Sequence, residues 1–124
     1  MLQSGIDIVE VKRIEGLFSQ DEDLIREIFT LTEIDYCQGK RYRFRHFAAR
    51  FAAKEAMMKA LGTGWAGEIK WMDIEVTNDS SGKPYVNLHG RVKELVSKMG
   101  VQSISVSLSH CSDYAVAQVI MLSM

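Results

Sequence analysis

Asp7 stands in an apolar stretch, Gly5-Ile6-Asp7-Ile8-Val9, that alternates as a strand does. Buried without a partner there, an acid would cost several kcal/mol. It is either an edge acid that meets water or an arginine, or a carboxylate retained for a ligand. Glu55 raises the same question within Phe51-Ala52-Ala53-Lys54-Glu55-Ala56-Met57-Met58-Lys59, whose small residues let other groups come close. Phe51, Glu55 and Lys59 are spaced i, i+4, i+8 and share one helix face. Glu55 and Lys59 form either a surface helix pair worth a few tenths of a kcal/mol, or a metal-binding carboxylate beside a phosphate-binding ammonium. Arg50 and Lys54, also four apart, carry like charges that repel mildly. An anion lying along that face would offset the repulsion; a solvated charged face is the alternative. Ser109-His110 ends a strand at a turn, where a side chain has rigid support. Cys111 adjoins His110, but neighbours on a strand point apart, which argues against a thiol nucleophile. Gly62-Thr63-Gly64 ends a helix instead of opening one, so its glycines read first as helix stops and not as a phosphate loop.

These residues need a frame. A strand around Ile6 and Ile8 turns Gly5, Asp7 and Val9 to its other side, and a helix follows from about Val11 to Phe18. Short helices are expected over Asp21 to Phe29 and after Thr32, with Thr32 as cap and Asp35 in the first turn. The longest helix is expected from about His46 to Leu61, stopped by Gly62 and Gly64. Ile74 and Val76 open a strand, Asn78 to Pro84 is a dense turn signal, and Tyr85 to Leu88 returns as a hairpin partner. A third sizeable helix spans Arg91 to Met99. Ser103 to Ser109 alternates serine with apolar residues. After a turn over His110 to Asp113, Tyr114 to Leu122 is an almost continuous apolar strand, expected to be covered on both faces, centrally or at a subunit interface. Strands at both ends with helices between them imply an α+β fold, a mostly antiparallel sheet packed on helices.

The chain has 124 residues, room for a single domain over 1–124. Its 47% apolar and 25% charged content is that of a soluble globular protein. No stretch approaches the ~20 apolar residues of a membrane span, and the start lacks a signal-peptide pattern. Cys37 and Cys111 read as two free thiols in a cytoplasmic protein. Net charge is -1, but it is unevenly spread. Seven of the fifteen cations (Lys40, Arg41, Arg43, Arg45, Arg50, Lys54, Lys59) lie between positions 40 and 59 against one acid, Glu55. Asp21 to Asp35 holds six acids and only Arg26. That distribution suggests a surface for a polyanion.

Taken in order, Gly5-Ile6-Asp7-Ile8-Val9-Glu10-Val11, Phe51-Ala52-Ala53-Lys54-Glu55-Ala56, Lys59-Ala60-Leu61-Gly62-Thr63-Gly64, Gly82-Lys83-Pro84, Ser107-Leu108-Ser109-His110 and Tyr114-Ala115-Val116-Ala117 form a pattern. It resembles the holo-acyl-carrier-protein synthases, the short trimeric type of 4'-phosphopantetheinyl transferase, from Gly5 to about Ile120. The resemblance implies a Mg²⁺-dependent transfer of phosphopantetheine from coenzyme A to a serine of an apo-acyl-carrier protein, for fatty acid biosynthesis. Asp7 and Glu55 would hold the Mg²⁺, and Lys59 would reach the pyrophosphate. Arg50 and His110 would help hold coenzyme A phosphates, Lys83-Pro84 would lie near the adenine, and Gly62 and Ser109 would complete the contacts. Glu55, or a metal-bound water it polarises, would be the base. A homotrimer with sites between subunits is implied, and neither nucleic acid nor membrane as partner. One departure concerns carrier docking. The family's first helices carry several cations; here Lys12, Arg13 and Arg26 remain, but Asp21, Glu22, Asp23 and Glu27 stand among them. Docking is then expected to lean on Arg13, Arg41, Arg43 and Arg45.

A rival reading takes Arg41-Tyr42-Arg43-Phe44-Arg45-His46-Phe47 as a stacking platform for single-stranded nucleic acid. It explains the basic segment and leaves Asp7 and Glu55 without a purpose. A non-catalytic trimeric scaffold is a second rival, which binding of coenzyme A would exclude.

Overall fold

A computed structural model describes residues 1–62 and 68–124. The second expected helix stop, Gly64, and the Thr63-Gly64 part of its motif lie outside the described residues. The order is β1 (Leu2–Glu10), α1 (Val11–Gln20), α2 (Glu22–Ile28), α3 (Leu31–Gln38), α4 (Arg43–Leu61), a 3-10 turn (Trp71–Asp73), β2 (Ile74–Asn78), β3 (Pro84–Leu88), α5 (Gly90–Lys98), β4 (Val101–His110) and β5 (Tyr114–Ser123). The fold is α+β, with an antiparallel sheet in the order β1-β5-β4 and a separate β2-β3 hairpin.

α4 lies across the sheet and supplies much of the core. Ala48, Ala49, Ala52, Ala53, Ala56 and Ala60 are buried along it, so its backbone comes very near the strands. Gly5 on β1 meets that backbone directly. A Cβ at Gly5 would fall inside the van der Waals shell of the Ala56 carbonyl oxygen and 2.7 Å from the Ala60 nitrogen. The helix ends where Gly62 takes φ +78°, a left-handed cap that β-carbon-bearing residues resist. At the other end, Phe18, Phe29, Phe44 and Phe47 pack edge to face with centroids 4.6–6.0 Å apart.

Two expectations need correction. α3 is capped by Thr30, not Thr32: the Thr30 hydroxyl accepts from the Glu33 N–H at 3.2 Å, and Glu33 accepts from the Thr30 N–H at 2.9 Å. The signature Thr30-Leu31-Thr32-Glu33 is a capping box. α4 begins at Arg43, a turn before His46. Its first turn is held by Phe44 and Phe47, three apart and both in the aromatic cluster, while Arg43 lies over the Phe44 ring at 4.7 Å. As expected, β5 is central in the sheet, and its own chain covers one of its faces. Ala115, Ala117, Val119 and Met121 are buried against α4, whereas Tyr114, Gln118, Ile120 and Leu122 are exposed.

Candidate active site

β1 turns Gly5, Asp7 and Val9 toward α4 because strand side chains alternate. The close contact at Gly5 then brings Asp7, two residues further, beside the last turns of the helix. Its carboxylate Oδ1 accepts from the Lys59 ammonium at 3.0 Å, and the same ammonium donates to the Ile6 carbonyl at 3.0 Å. The Asp7 side chain is mostly covered at 16% exposure; that of Lys59 is 55% exposed and has room to move. Glu55, half-buried, stands one turn before Lys59 on the same side of α4. A carboxylate from an edge strand and an ammonium from a helix thus meet directly, with Glu55 one turn away along that helix. Lys59 bonds across to the sheet, which neither simple reading of the helix pair contained. No group of three or more His, Cys, Asp or Glu side chains suited to a metal occurs among the described residues.

A second group, built around two histidines, forms at the opposite end of α4. His110, the last residue of β4, points to the α4 side of the sheet and packs on His46 with centroids 4.8 Å apart. His46 also meets Tyr36 at 6.0 Å. Burial, then the charges of His110 and Arg50, push the His46 pKa down to about 4. Burial, with Arg45, also lowers that of His110. Asp7 and Leu108 flank Ala117 in register, so His110 lies two residues along from the Asp7 row. Strand spacings separate the Cα atoms of Asp7 and His110 by about 12 Å on one face of the sheet. Ser109 points to the opposite face, where it is exposed beside Val116.

Arg50 is not where the sequence suggested. Expected on an anion-binding face, it is 2% exposed. Its guanidinium lies over the Tyr36 ring at 4.1 Å and donates to Asn78 Oδ1, while Nε has no hydrogen-bond partner among the described residues. Asn78 in turn donates to the Gly82 carbonyl at 2.9 Å, so Arg50 tethers the hairpin turn that carries Lys83 and Pro84. Within that turn the Asp79 carboxylate accepts from the Ser81 and Lys83 N–H groups at 2.9 and 3.0 Å. Lys83 is exposed at the tip.

The solvated face suggested for Arg50 and Lys54 is likewise absent. Lys54 is wholly buried and paired with Glu33 at 2.9 Å, both at 0% exposure. The anion that offsets the repulsion is the chain's own. Burial pulls the Lys54 pKa down, and the Glu33 carboxylate opposes it. Sequence reasoning overlooked Glu33 and His46. The capping box could have revealed Glu33; nothing marks His46 before the fold sets it against His110.

The basic-aromatic segment stacks on itself. Arg41 and Arg45 sit over the Tyr42 ring at 5.2 and 3.9 Å, Arg43 covers Phe44, and Phe47 is 1% exposed. The rings required by the nucleic-acid reading are engaged by neighbouring guanidiniums or by the core. Cys37 and Cys111 are free thiols, and burial pushes Cys37 up to about 12, which leaves it unreactive. No helix of the described residues is long and apolar enough to cross a membrane.

Residues 3–119 match the family model of the 4'-phosphopantetheinyl transferase superfamily, and the chain belongs to that superfamily. The holo-acyl-carrier-protein synthase of Geotalea daltonii is 44% identical over 119 residues, covering 95% of both chains. That of Moorella thermoacetica is 47% identical over 117 residues, covering 94% of this chain and 91% of its own. The solved Helicobacter pylori enzyme, in complex with coenzyme A, is 32% identical with a TM-score of 0.84, over 96% of this chain and 99% of that one. The Bacillus anthracis enzyme, in complex with coenzyme A (3',5'-ADP), is 35% identical with a TM-score of 0.80, over 98% and 96%. Within the superfamily the chain falls among the holo-acyl-carrier-protein synthases.

Proposed function

We propose that this chain, acting as one domain over 1–124, transfers 4'-phosphopantetheine from coenzyme A to a serine of an apo-acyl-carrier protein. The reaction is Mg²⁺-dependent, releases adenosine 3',5'-bisphosphate and serves fatty acid biosynthesis in the cytoplasm. The observation that carries this reading is the Asp7–Lys59 pair across strand and helix, with Glu55 one helical turn before Lys59. Two carboxylates suit Mg²⁺, a hard cation that takes one or two of them and leaves its other positions to phosphate oxygens and water. Asp7 and Glu55 would hold it, and when bound it supplies charge neutralisation at the diphosphate.

The serine oxygen forms a bond to the β-phosphorus. The bond from that phosphorus to the bridging oxygen breaks, and its electron pair leaves with the bisphosphate. Glu55, or a water it polarises, takes the serine proton. Lys59, ion-paired to Asp7 and still largely exposed, turns its ammonium to the diphosphate and stabilises the departing charge. Gly62, just beyond Lys59, lets backbone come close to that group. His110 and the Lys83-Pro84 turn line the nucleotide end, and Arg50 acts by tethering that turn, not by meeting phosphate. The chain works as a homotrimer, with the sheet face that carries Ser109 against a neighbouring copy.

Mass spectrometry tests this directly. An apo-carrier protein incubated with coenzyme A, Mg²⁺ and the chain should gain one phosphopantetheine. Asp7→Ala and Glu55→Gln should each lower the rate by two or more orders of magnitude, as loss of a ligand or base does, with circular dichroism unchanged. Near-normal turnover by either variant, or by the parent in EDTA, would refute the reading.

A further inference from the structure

Lys54 precedes Glu55 and takes no part in the chemistry above, yet its ammonium is densely bonded. Its ammonium donates to Glu33 Oε1 at 2.9 Å, to the Trp71 carbonyl at 3.1 Å and to the Ile74 carbonyl. Those three bonds match its three donors. Glu33 is equally engaged. Oε1 also accepts from the Thr30 N–H at 2.9 Å, and Oε2 accepts from the Val76 N–H at 3.0 Å. Thr30 Oγ1 continues the chain, donating to Glu75 Oε2 at 2.7 Å. A single buried pair therefore joins the start of α3, the middle of α4, the 3-10 turn and β2.

Apolar packing would bury this part of α4 as well, but it is non-directional. The helix's large buried side chains, Phe47, Phe51, Met57 and Met58 among them, hold it in place, while the small, nearly alike alanines that face the sheet define its rotation less sharply. Three hydrogen bonds from one ammonium to three separate elements resist that rotation. Rotation matters because reacting groups stand some 5–6 Å from the axis, and a 20° turn would move them by about 2 Å. A misplacement of about 1 Å can cost a hundredfold in rate.

We propose that Glu33 and Lys54 are positioning residues for the transfer, fixing the rotation of α4 so that Glu55 and Lys59 face Asp7. The proposal rests on the function inferred above. The nucleotide end of the site depends on His110 and the Lys83-Pro84 turn, so coenzyme A binding should survive where turnover does not.

The test is the double variant Glu33→Gln with Lys54→Met, which removes both charges and nearly keeps side-chain volume, so that neither partner is left as an uncompensated buried charge. Rates are normalised to folded protein by near-ultraviolet circular dichroism, and coenzyme A affinity is read by calorimetry. We expect a Tm within a few degrees of the parent, coenzyme A Kd and KM within about twofold, and kcat lower by about thirtyfold. A folded double variant with kcat within threefold of the parent overturns the proposal, as does a loss confined to Kd and KM. Should the double variant not fold, Glu33→Gln alone decides. Its carbonyl still accepts from Lys54 while one acceptor is lost, and kcat should fall about fivefold with KM unchanged. Unchanged kcat there overturns the proposal too. A parent that transfers nothing to carrier protein defeats the functional reading itself, which separates that failure from this one.

Discussion

His46 shows how a residue of no sequence-level interest acquires a measurable property from its neighbours. Packed between Tyr36 and His110 and ringed by Lys40, Arg45 and Arg50, it resists protonation in the folded chain down to about pH 4. In the unfolded chain the ordinary value is 6.5. Between those values the unfolded state binds more protons, so stability falls as pH drops through that window. His110, shifted in the same direction, adds to the effect. Thermal melts at half-unit steps from pH 7 to 4 should show Tm declining. His46→Gln should make the decline shallower, and an identical slope in the variant would show that His46 does not titrate in this way.

At the scale of elements, the contact of β1 with α4 decides whether Asp7 meets Lys59. Gly5→Ala would press a methyl into the Ala56 carbonyl. Overpacking of this kind costs on the order of 1–3 kcal/mol or more, a loss of several degrees in Tm. Transfer should fall further than the Tm change alone explains, because Asp7 shifts with the strand. Calorimetry and steady-state rates on the same preparation check both. The acids of α2 also have a local reason. Asp21 caps the helix by accepting from the Asp23 N–H at 3.0 Å, and Glu22 and Asp23 occupy its first turn, where negative charge is favoured. Carrier docking is then expected to lean on Arg13, Arg41, Arg43 and Arg45. Arg41 and Arg43 are exposed, whereas Arg45 is half-buried on Tyr42. Arg41→Glu with Arg43→Glu should raise the carrier KM about tenfold and flatten its salt dependence, since exposed charges mainly steer encounter. If only the coenzyme A parameters move, the segment is a nucleotide clamp instead.

For the whole molecule, the unpacked face of the sheet is the dominant feature. Leu2, Ile6 and Ile8 of β1, at 70%, 60% and 65% exposure, adjoin Ile120 and Leu122 of β5 and the serine row of β4. An apolar patch of this kind marks an interaction surface. We expect light scattering to give about three times the 14.0 kDa chain mass. Ile6→Lys with Ile120→Lys should shift it toward the monomer and lower activity together. A fully active monomeric parent would overturn the trimer.

Periodicity alone determined most of the elements, because the 2.0 and 3.6 repeats of burial are written locally. The hairpin over Asn78 to Pro84, the long helix before Gly62 and the α+β class follow from that. Asp7, Glu55 and Lys59 were legible as residues with an unexplained cost or an informative spacing, and the ordered motifs tied them to one family. The meeting of Asp7 with Lys59 was not legible, since it depends on a long-range contact between Gly5 and Ala56. The same limit explains Arg50 and Lys54. Two like charges four apart look the same in sequence whether they face water, a ligand or a buried partner. Glu33, 21 positions before Lys54, and Asn78, 28 positions after Arg50, are brought to them only by tertiary packing. The outward side of the β5 strand was decided in the same way. An unbroken apolar strand is compatible with cover from its own chain or from another copy, and only the three-dimensional arrangement leaves that face open.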